Sequence, residues 1–447
     1  MNPTERIYSA LVERDRESEE QLPDRVRGDL PRNGLRLIWA NTLQSSGDQV
    51  VNASTVLPWL FHALGVPAAL VGALVPVREA GSMLPQALLT PLVLRARYRK
   101  RVFVTGSLVQ ACSVAVMAGA AALGQGLSAG VVIVAALAVF SLGRCLCSIS
   151  SKDVQGRTVP SGERGQVNGL ATAAAGLVAI TLGLGIRVFG GDDLDPAPLA
   201  WLLGGGAALW VGVAWVYARI REPADEPTAH GRGTDSGDPP VRWHDWLVRT
   251  YRLLREDRTF RRFVSVRGFL LVSALSPPFV ITLATQSGTT GLSGLGSYIL
   301  ASGVAALLGG RLFGRLADRS SRKLMTFGAA VASAVILVLV LVVSLPGFTG
   351  TTVWGSALFI GCYFLLALTH TGIRVGRKTY VVDVAEGDLR TTYVAVSNSA
   401  MGLILLVVGG LSSLLAVFGV VWALVFLAAL GLVGVVAGGG LPEVSRG

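Results

Sequence analysis

Gly314-Arg-Leu-Ala-Asp318-Arg319-Ser-Ser-Arg322-Lys323 is a short charged loop between two long apolar stretches. Four cations and one carboxylate share its ten positions, and the segment 324–345 beyond it has the roughly 20 apolar residues that a membrane span needs. Working outward, the whole chain divides into about twelve such stretches. Arg78, Arg144, Arg187 and Arg267 fall inside them. The other 35 of the 39 Lys and Arg lie in the N-terminal arm, in alternate gaps or in the C-terminal tail. The intervening gaps, near His62 and at 121–129, 188–198, 286–294, 345–353 and 415–420, hold none. Such a bias sets orientation, with the basic side cytoplasmic. The expectation is therefore an all-α integral membrane protein of the inner (plasma) membrane, with an even number of spans and both termini inside.

Composition agrees: 51% hydrophobic, 15% charged, and a mean hydropathy of +0.57. A pI near 10.0 is read as topology signal facing anionic lipid, with no nucleic-acid partner expected. Residues 1–34 are polar and charged, and are expected to form a mobile cytosolic arm with no cleavable signal. Cys112, Cys145, Cys147 and Cys362 all lie in spans without metal-ligand spacing, so they read as packing residues; neither a metal nor a cofactor is expected.

The chain reads as a repeated unit. Arg99-Lys100 matches Arg322-Lys323 at an offset of 223 residues, and Lys152 and Arg164 match Lys378 and Arg390 at 226. Between the halves runs the longest polar interruption. Its 222–240 part reads as a flexible linker, followed by an amphipathic pattern through Trp243, Trp246, Leu247, Tyr251 and Leu254. The expected division is 1–34 arm, 35–218 first six-helix bundle, 219–262 linker with amphipathic helix, 263–440 second six-helix bundle and 441–447 tail. Parallel repeats of this kind build transporters.

The loop at 314–323 closely resembles the signature of the major facilitator superfamily, Gly-x-Leu-Ala-Asp-Arg-x-Gly-Arg-Arg/Lys, and the twelve-span topology over about 35–440 resembles that family too. Ser321 stands where the second Gly is usual, and the first-half copy has Pro91 and Arg95 in place of Gly and Asp. The resemblance implies two pseudo-symmetric bundles working by alternating access. It also implies a cytoplasmic gate motif: Gly314, Asp318, Arg319, Arg322 and Lys323, with Arg377 or Lys378 as the cation for Asp318. The helix facing Asp318 would be the fifth span, starting near Gly165–Asn168, whose N-terminus favours an anion.

Buried charges supply the candidate site. Asp48 lies on a stripe of Asn41, Gln44, Ser45, Asn52 and Thr55 at helical spacing, which has to face water or protein. Glu79 adjoins Arg78 at a depth matching Asp48. Such groups are costly in lipid, so two readings stand: an Asp48–Arg78 ion pair that fixes packing, or a carboxylate that carries a proton. Arg144 on the fourth span, with Tyr363, His370 and Arg374 on the tenth, reads either as a cationic cavity wall for an anion or as cations that snorkel or pair structurally. The resemblance places these spans at the central cavity. Arg267 reads as a snorkelling anchor, and Arg187 as an outer-edge partner of Asp192, Asp193 and Asp195.

The functional expectation is a monomeric secondary transporter, not an enzyme. It would move a small organic molecule, by drug or metabolite export or organic-anion transport, and use protons. No Gly-x-x-x-x-Gly-Lys-Ser/Thr loop is present to suggest ATP drive. The alternatives are a lipid or lysolipid transporter, which would show a side opening of the cavity, and a non-transporting membrane sensor.

Overall fold

The computed structural model describes residues 3–14, 16–20, 24–86, 89, 93, 96–189, 196–223, 248, 255–256, 258–288, 292–384 and 389–440. Among these, the backbone is helix joined by short turns. In hydrocarbon every N–H and C=O must be satisfied within the segment, and helices do this. Two short helices, α1 (Pro3–Leu11) and α2 (Arg16–Glu20), precede the first span. That span is split into α3 (Asp24–Val50) and α4 (Val56–Ala63). The first half continues with α5 (Ala68–Met83), α6 (Arg99–Leu123), α7 (Gly126–Thr158), α8 (Ser161–Phe189) and α9 (Pro196–Ala218). The seventh span is α10 (Arg258–Phe269) plus α11 (Val272–Gln286). Spans eight and nine form α12 (Leu292–Val343), bent at Ser320; α13 (Val353–Val384), α14 (Leu389–Phe418) and α15 (Val420–Gly439) complete twelve passes.

Ser320 explains the bend inside the opening loop. Its φ of −162° and ψ of 97° are non-helical, and its Oγ accepts from the Lys323 amide at 3.2 Å. A serine that leaves the helix and receives the amide three residues on is an N-cap, worth about 1 kcal/mol. The ninth span therefore starts at the charged loop, with no separate linker.

Outward-facing side chains fit a lipid environment. Trp39 and Trp215 are exposed toward the basic end, and Trp201, Trp354 and Trp422 toward the other. Two tryptophan levels on one molecule mark two membrane–water interfaces.

The two halves meet along two helix pairs, α5 with α14 and α8 with α12. Both need absent side chains. A Cβ on Gly183 would lie 2.7 Å from the Leu300 amide nitrogen, and one on Gly409 would strike the Pro76 ring. Small residues let helix backbones approach where no hydrophobic force separates helix from lipid.

Two expectations need correction, and a third rests on residues outside the described set. The described residues of 1–34 are not a free arm. Tyr8 is fully buried and its OH donates to Glu163 at 2.5 Å, while Gln166 and the Glu13 backbone exchange bonds of 2.7 and 2.9 Å. Residues 24–34 already belong to the helix of the first span. Arg267 does not snorkel: it is 6% exposed and donates to Ser397 Oγ and Asn398 Oδ1. Arg187 reaches Ser297 on α12 at 2.7 Å, while Asp192, Asp193 and Asp195 lie outside the described residues, as do the amphipathic stretch through Tyr251 and Leu254 and the tail 441–447.

The basic end of the first half carries its own carboxylates. Glu222 accepts the Arg99 and Lys100 amides at 3.0 and 2.9 Å, capping α6, and Asp153 pairs with Arg99 and Arg157. These supply anions in the half whose loop has Arg95 where the signature has Asp. Burial holds the Glu222 carboxyl above the usual carboxylate range, although both amides favour its charge.

Candidate functional site

The first span does not run through as one helix. α3 stops at Val50, and 51–55 form turns before α4. Asn52 is responsible: its Oδ1 accepts the Ser54 amide at 2.8 Å and its carbonyl accepts the Leu57 amide at 3.0 Å. An Asn side chain that bonds its own backbone two residues on competes with the helix. The expectation of one polar helical face through Asn52 and Thr55 is corrected accordingly. Open backbone at this depth is tolerated where it lines a cavity, and Asn52 and Ser54 do line one. The seventh span has a matching interruption at Leu270–Leu271, between α10 and α11.

The cavity lies between the halves and encloses about 270 Å³. One wall is α5, with Arg78 and Glu79; the opposite wall is α13, with Tyr363, His370, Arg374 and Arg377. Ser273, Ser302 and Thr371 add hydroxyls, and Ser273 Oγ stands 3.5 Å from His370 Nδ1. Those three hydroxyls were missed in the sequence, where a lone Ser or Thr inside an apolar span carries no periodic signal. Arg377, expected at the gate, belongs to this cavity wall.

The site's charges fall into two sets. Asp48 accepts Arg78 Nη2 at 3.0 Å and also Arg144 Nη1, so one carboxylate bridges three spans. Arg144 was expected on the cavity wall with Asn41 and Gln44. It is held by Asp48 instead, and none of these three lines the cavity. The second set is unpaired: Glu79, Arg374 and Arg377 make no ion pair among the described residues. Glu79 is the one carboxylate among the described residues that line the cavity.

At the end away from the basic loops the cavity is roofed. Trp59 of α4 packs on Tyr298 of α12 with ring centroids 5.9 Å apart, and Tyr298 meets Tyr363 edge-on at 5.2 Å. Trp59 and Tyr298 are fully buried, yet Trp59 Nε1 and Tyr298 OH find no hydrogen-bond acceptor or donor among the described residues. Buried polar groups are ordinarily paired, so both are spare hydrogen-bonding groups at this end of the cavity.

The signature loop is described only in part. Its backbone is helical up to Ser320, and Arg322 Nη1 reaches the Gly439 carbonyl at 3.4 Å. Lys323 is exposed. The side chains of Asp318, Arg319 and Lys378 and the surroundings of Gly314 lie outside the described set, and with them the expected Asp318 contacts.

Comparison with known proteins adds the following. The family model described as Major Facilitator Superfamily matches residues 38–361. No curated protein matches the sequence. Among solved structures, a D-xylose–proton symporter superposes with a TM-score of 0.68 at 11% identity, covering 92% of this chain and 98% of that one. The nucleoside transporter NupG gives 0.64 at 13%, covering 91% and 98%. A POT family transporter in complex with a thioalcohol-conjugated peptide gives 0.66 at 12%, covering 94% and 98%. At these identities the likeness is one of fold.

Proposed function

Because this chain belongs to the major facilitator superfamily, we propose that it is a secondary transporter that carries a small organic anion together with a proton by alternating access. One observation carries the substrate class. Arg374 and Arg377 face the central cavity without an ion pair among the described residues, beside His370 and opposite a single carboxylate. Uncompensated guanidinium groups at membrane depth are costly, and a carboxylate or phosphate offers them charge-assisted, bidentate bonds.

Glu79 is our candidate for the proton. A substrate anion at Arg374 and Arg377 repels the Glu79 carboxylate across the cavity. A proton on Glu79 removes that repulsion, so proton and anion travel together. Asp48 has a different role: bound between Arg78 and Arg144, it fixes the packing of spans one, two and four. The aromatic roof and the Gly183–Gly296 contact are the parts that separate when the halves rock, and Asp318 is the candidate gate at the basic end. We place that end in the cytoplasm on the positive-inside rule.

A lipid substrate finds less support. Among the described residues, the large apolar groove between α3, α8 and α9, about 830 Å³, shares no lining residue with the cavity. Thermal unfolding of the purified protein against a panel of anionic, neutral and cationic metabolites tests the proposal. Anions are expected to stabilise the wild type and to lose that effect in Arg374→Gln and Arg377→Gln. Stabilisation by neutral or cationic compounds alone would refute it.

A further inference from the structure

A second basic cavity lies at the edge of the first half, away from the central site. It encloses about 480 Å³ between α1, α3 and α9, and its polar wall is Thr4, Arg32, Arg36 and Arg219. Its remaining wall is apolar, with Leu35, Leu43 and Val216 beside Trp39 and Trp215. Local structure brings the cations together. Asn33 exchanges bonds of 2.9 and 3.0 Å with the Arg221 backbone, pinning the chain where α9 ends. Arg36 Nη1 donates to the Arg219 carbonyl, one of the acceptors that a helix end leaves unsatisfied. The Arg219 guanidinium stacks 3.3 Å from the Trp215 ring centroid. The nearby Asp29 is taken by Arg221 at 2.8 Å. Arg32, Arg36 and Arg219 are thus three like charges on one cavity, with no ion pair among the described residues.

The depth of these groups identifies what they face. Trp39 and Trp215 are 62% and 60% exposed, and tryptophan rings mark the inner edge of the headgroup layer. Arg32 precedes Trp39 by two helical turns and Arg219 follows Trp215 by one, which is about 10 and 6 Å further out. The headgroup layer is itself about 5–8 Å thick on each side. Arg36, one turn before Trp39, and Arg219 therefore stand at phosphate level, with Arg32 on the same cavity at its outer edge, while the apolar wall faces acyl chains.

We propose that this cavity binds one anionic phospholipid of the basic-side leaflet. Its phosphate sits among Arg32, Arg36 and Arg219, and an acyl chain lies along Trp39 and Leu43. A zwitterionic lipid would bring its own ammonium group against three arginines. Thr4 makes α1 part of the wall, so the lipid also holds the N-terminal helix whose Tyr8 bonds Glu163. This site stands independently of what the central cavity carries.

The test uses the full-length protein in neutral detergent, with thermal unfolding and native mass spectrometry read in parallel. Phosphatidylglycerol at about 100 times its Kd is expected to raise Tm by about 3 °C, and to appear as a retained one-lipid adduct. Both effects should disappear in Arg32→Gln/Arg36→Gln/Arg219→Gln, and both should survive in Arg101→Gln/Arg258→Gln/Arg261→Gln, which removes equal charge elsewhere. The single variant Arg32→Gln, exposed and outside the backbone contacts, weakens the adduct if the triple variant does not fold. An equal shift with phosphatidylcholine, an equal shift with inorganic phosphate, or an adduct undiminished in both Arg32→Gln and the triple variant would overturn the proposal.

Discussion

Neutralising Asp48 should damage this protein more than neutralising either arginine that holds it. The carboxylate accepts Arg78 at 3.0 Å and Arg144 at shorter range, and its side chain is 17% exposed. The cluster carries two positive charges and one negative. Asp48→Asn leaves two facing guanidinium groups at membrane depth, and removing one partner of a buried pair costs about 3–5 kcal/mol. Arg78→Gln leaves a balanced Asp48–Arg144 pair and costs about 1.5–3 kcal/mol, the scale of a single bond to a charged group. Converting to temperature, 447 residues at about 2.1 cal/mol/K each give an unfolding entropy near 0.9 kcal/mol/K. Asp48→Asn is then expected to lower Tm by about 3–5 °C and Arg78→Gln by about 2–3 °C. The assay is thermal unfolding of detergent-purified protein, followed by tryptophan fluorescence and monodisperse yield. Asp48→Asn/Arg144→Gln should recover part of the loss, because it removes one of the two stranded charges. An Asp48→Asn protein as stable as wild type, or an Arg78→Gln protein less stable than Asp48→Asn, would refute the argument.

Tyr8→Phe removes a donor from the buried Glu163 carboxylate and is expected to lower Tm by about 2–3 °C, as a bond to a charged group is worth about 1.5–3 kcal/mol. Burial and then Glu163 raise the pKa of Tyr8, so its stabilisation is full below tyrosine's ordinary pKa of about 10 and declines as pH climbs past it; in Tyr8→Phe that alkaline decline should shrink. Gly183→Leu puts a side chain where even a Cβ is 2.7 Å from the Leu300 nitrogen, so spans five and eight should part at the non-basic end and cysteines near the roof should label faster from that side. In a cysteine-free background, Thr349→Cys should react with an impermeant maleimide added outside cells and Ser236→Cys should not; the reverse pattern would invert the orientation.

What the sequence disclosed and what it hid divide along physical lines. The twelve passes and the repeat are written in charge and apolar length, which the membrane enforces residue by residue. Matched depth pointed to Asp48 and Arg78 as neighbours, and the structure brings them together. Arg144 was misplaced because a linear reading gives depth but not azimuth, and its guanidinium reaches across to α3. The break at 51–55 was hidden because Asn52 and Thr55 continue the helical spacing of the stripe, while a side-chain bond decides the backbone. Tyr8 was hidden for the converse reason: one aromatic in a charged arm has no periodic company, and only tertiary contact with Glu163 gives it a place. Arg267 reads as an anchor from depth alone, and its hydroxyl and amide partners lie about 130 residues away in the sequence.

The central claim is that this cavity moves an organic anion with a proton. Proteoliposomes holding a pH-sensitive dye, exposed in turn to organic acids, neutral metabolites and cationic compounds, test it most directly. The account predicts that at least one acid drives proton entry with its own uptake, that Arg377→Gln abolishes both, and that Glu79→Gln abolishes proton movement while anion exchange persists. Solute uptake confined to neutral or cationic compounds, or acid uptake with proton entry undiminished in Glu79→Gln, would contradict it.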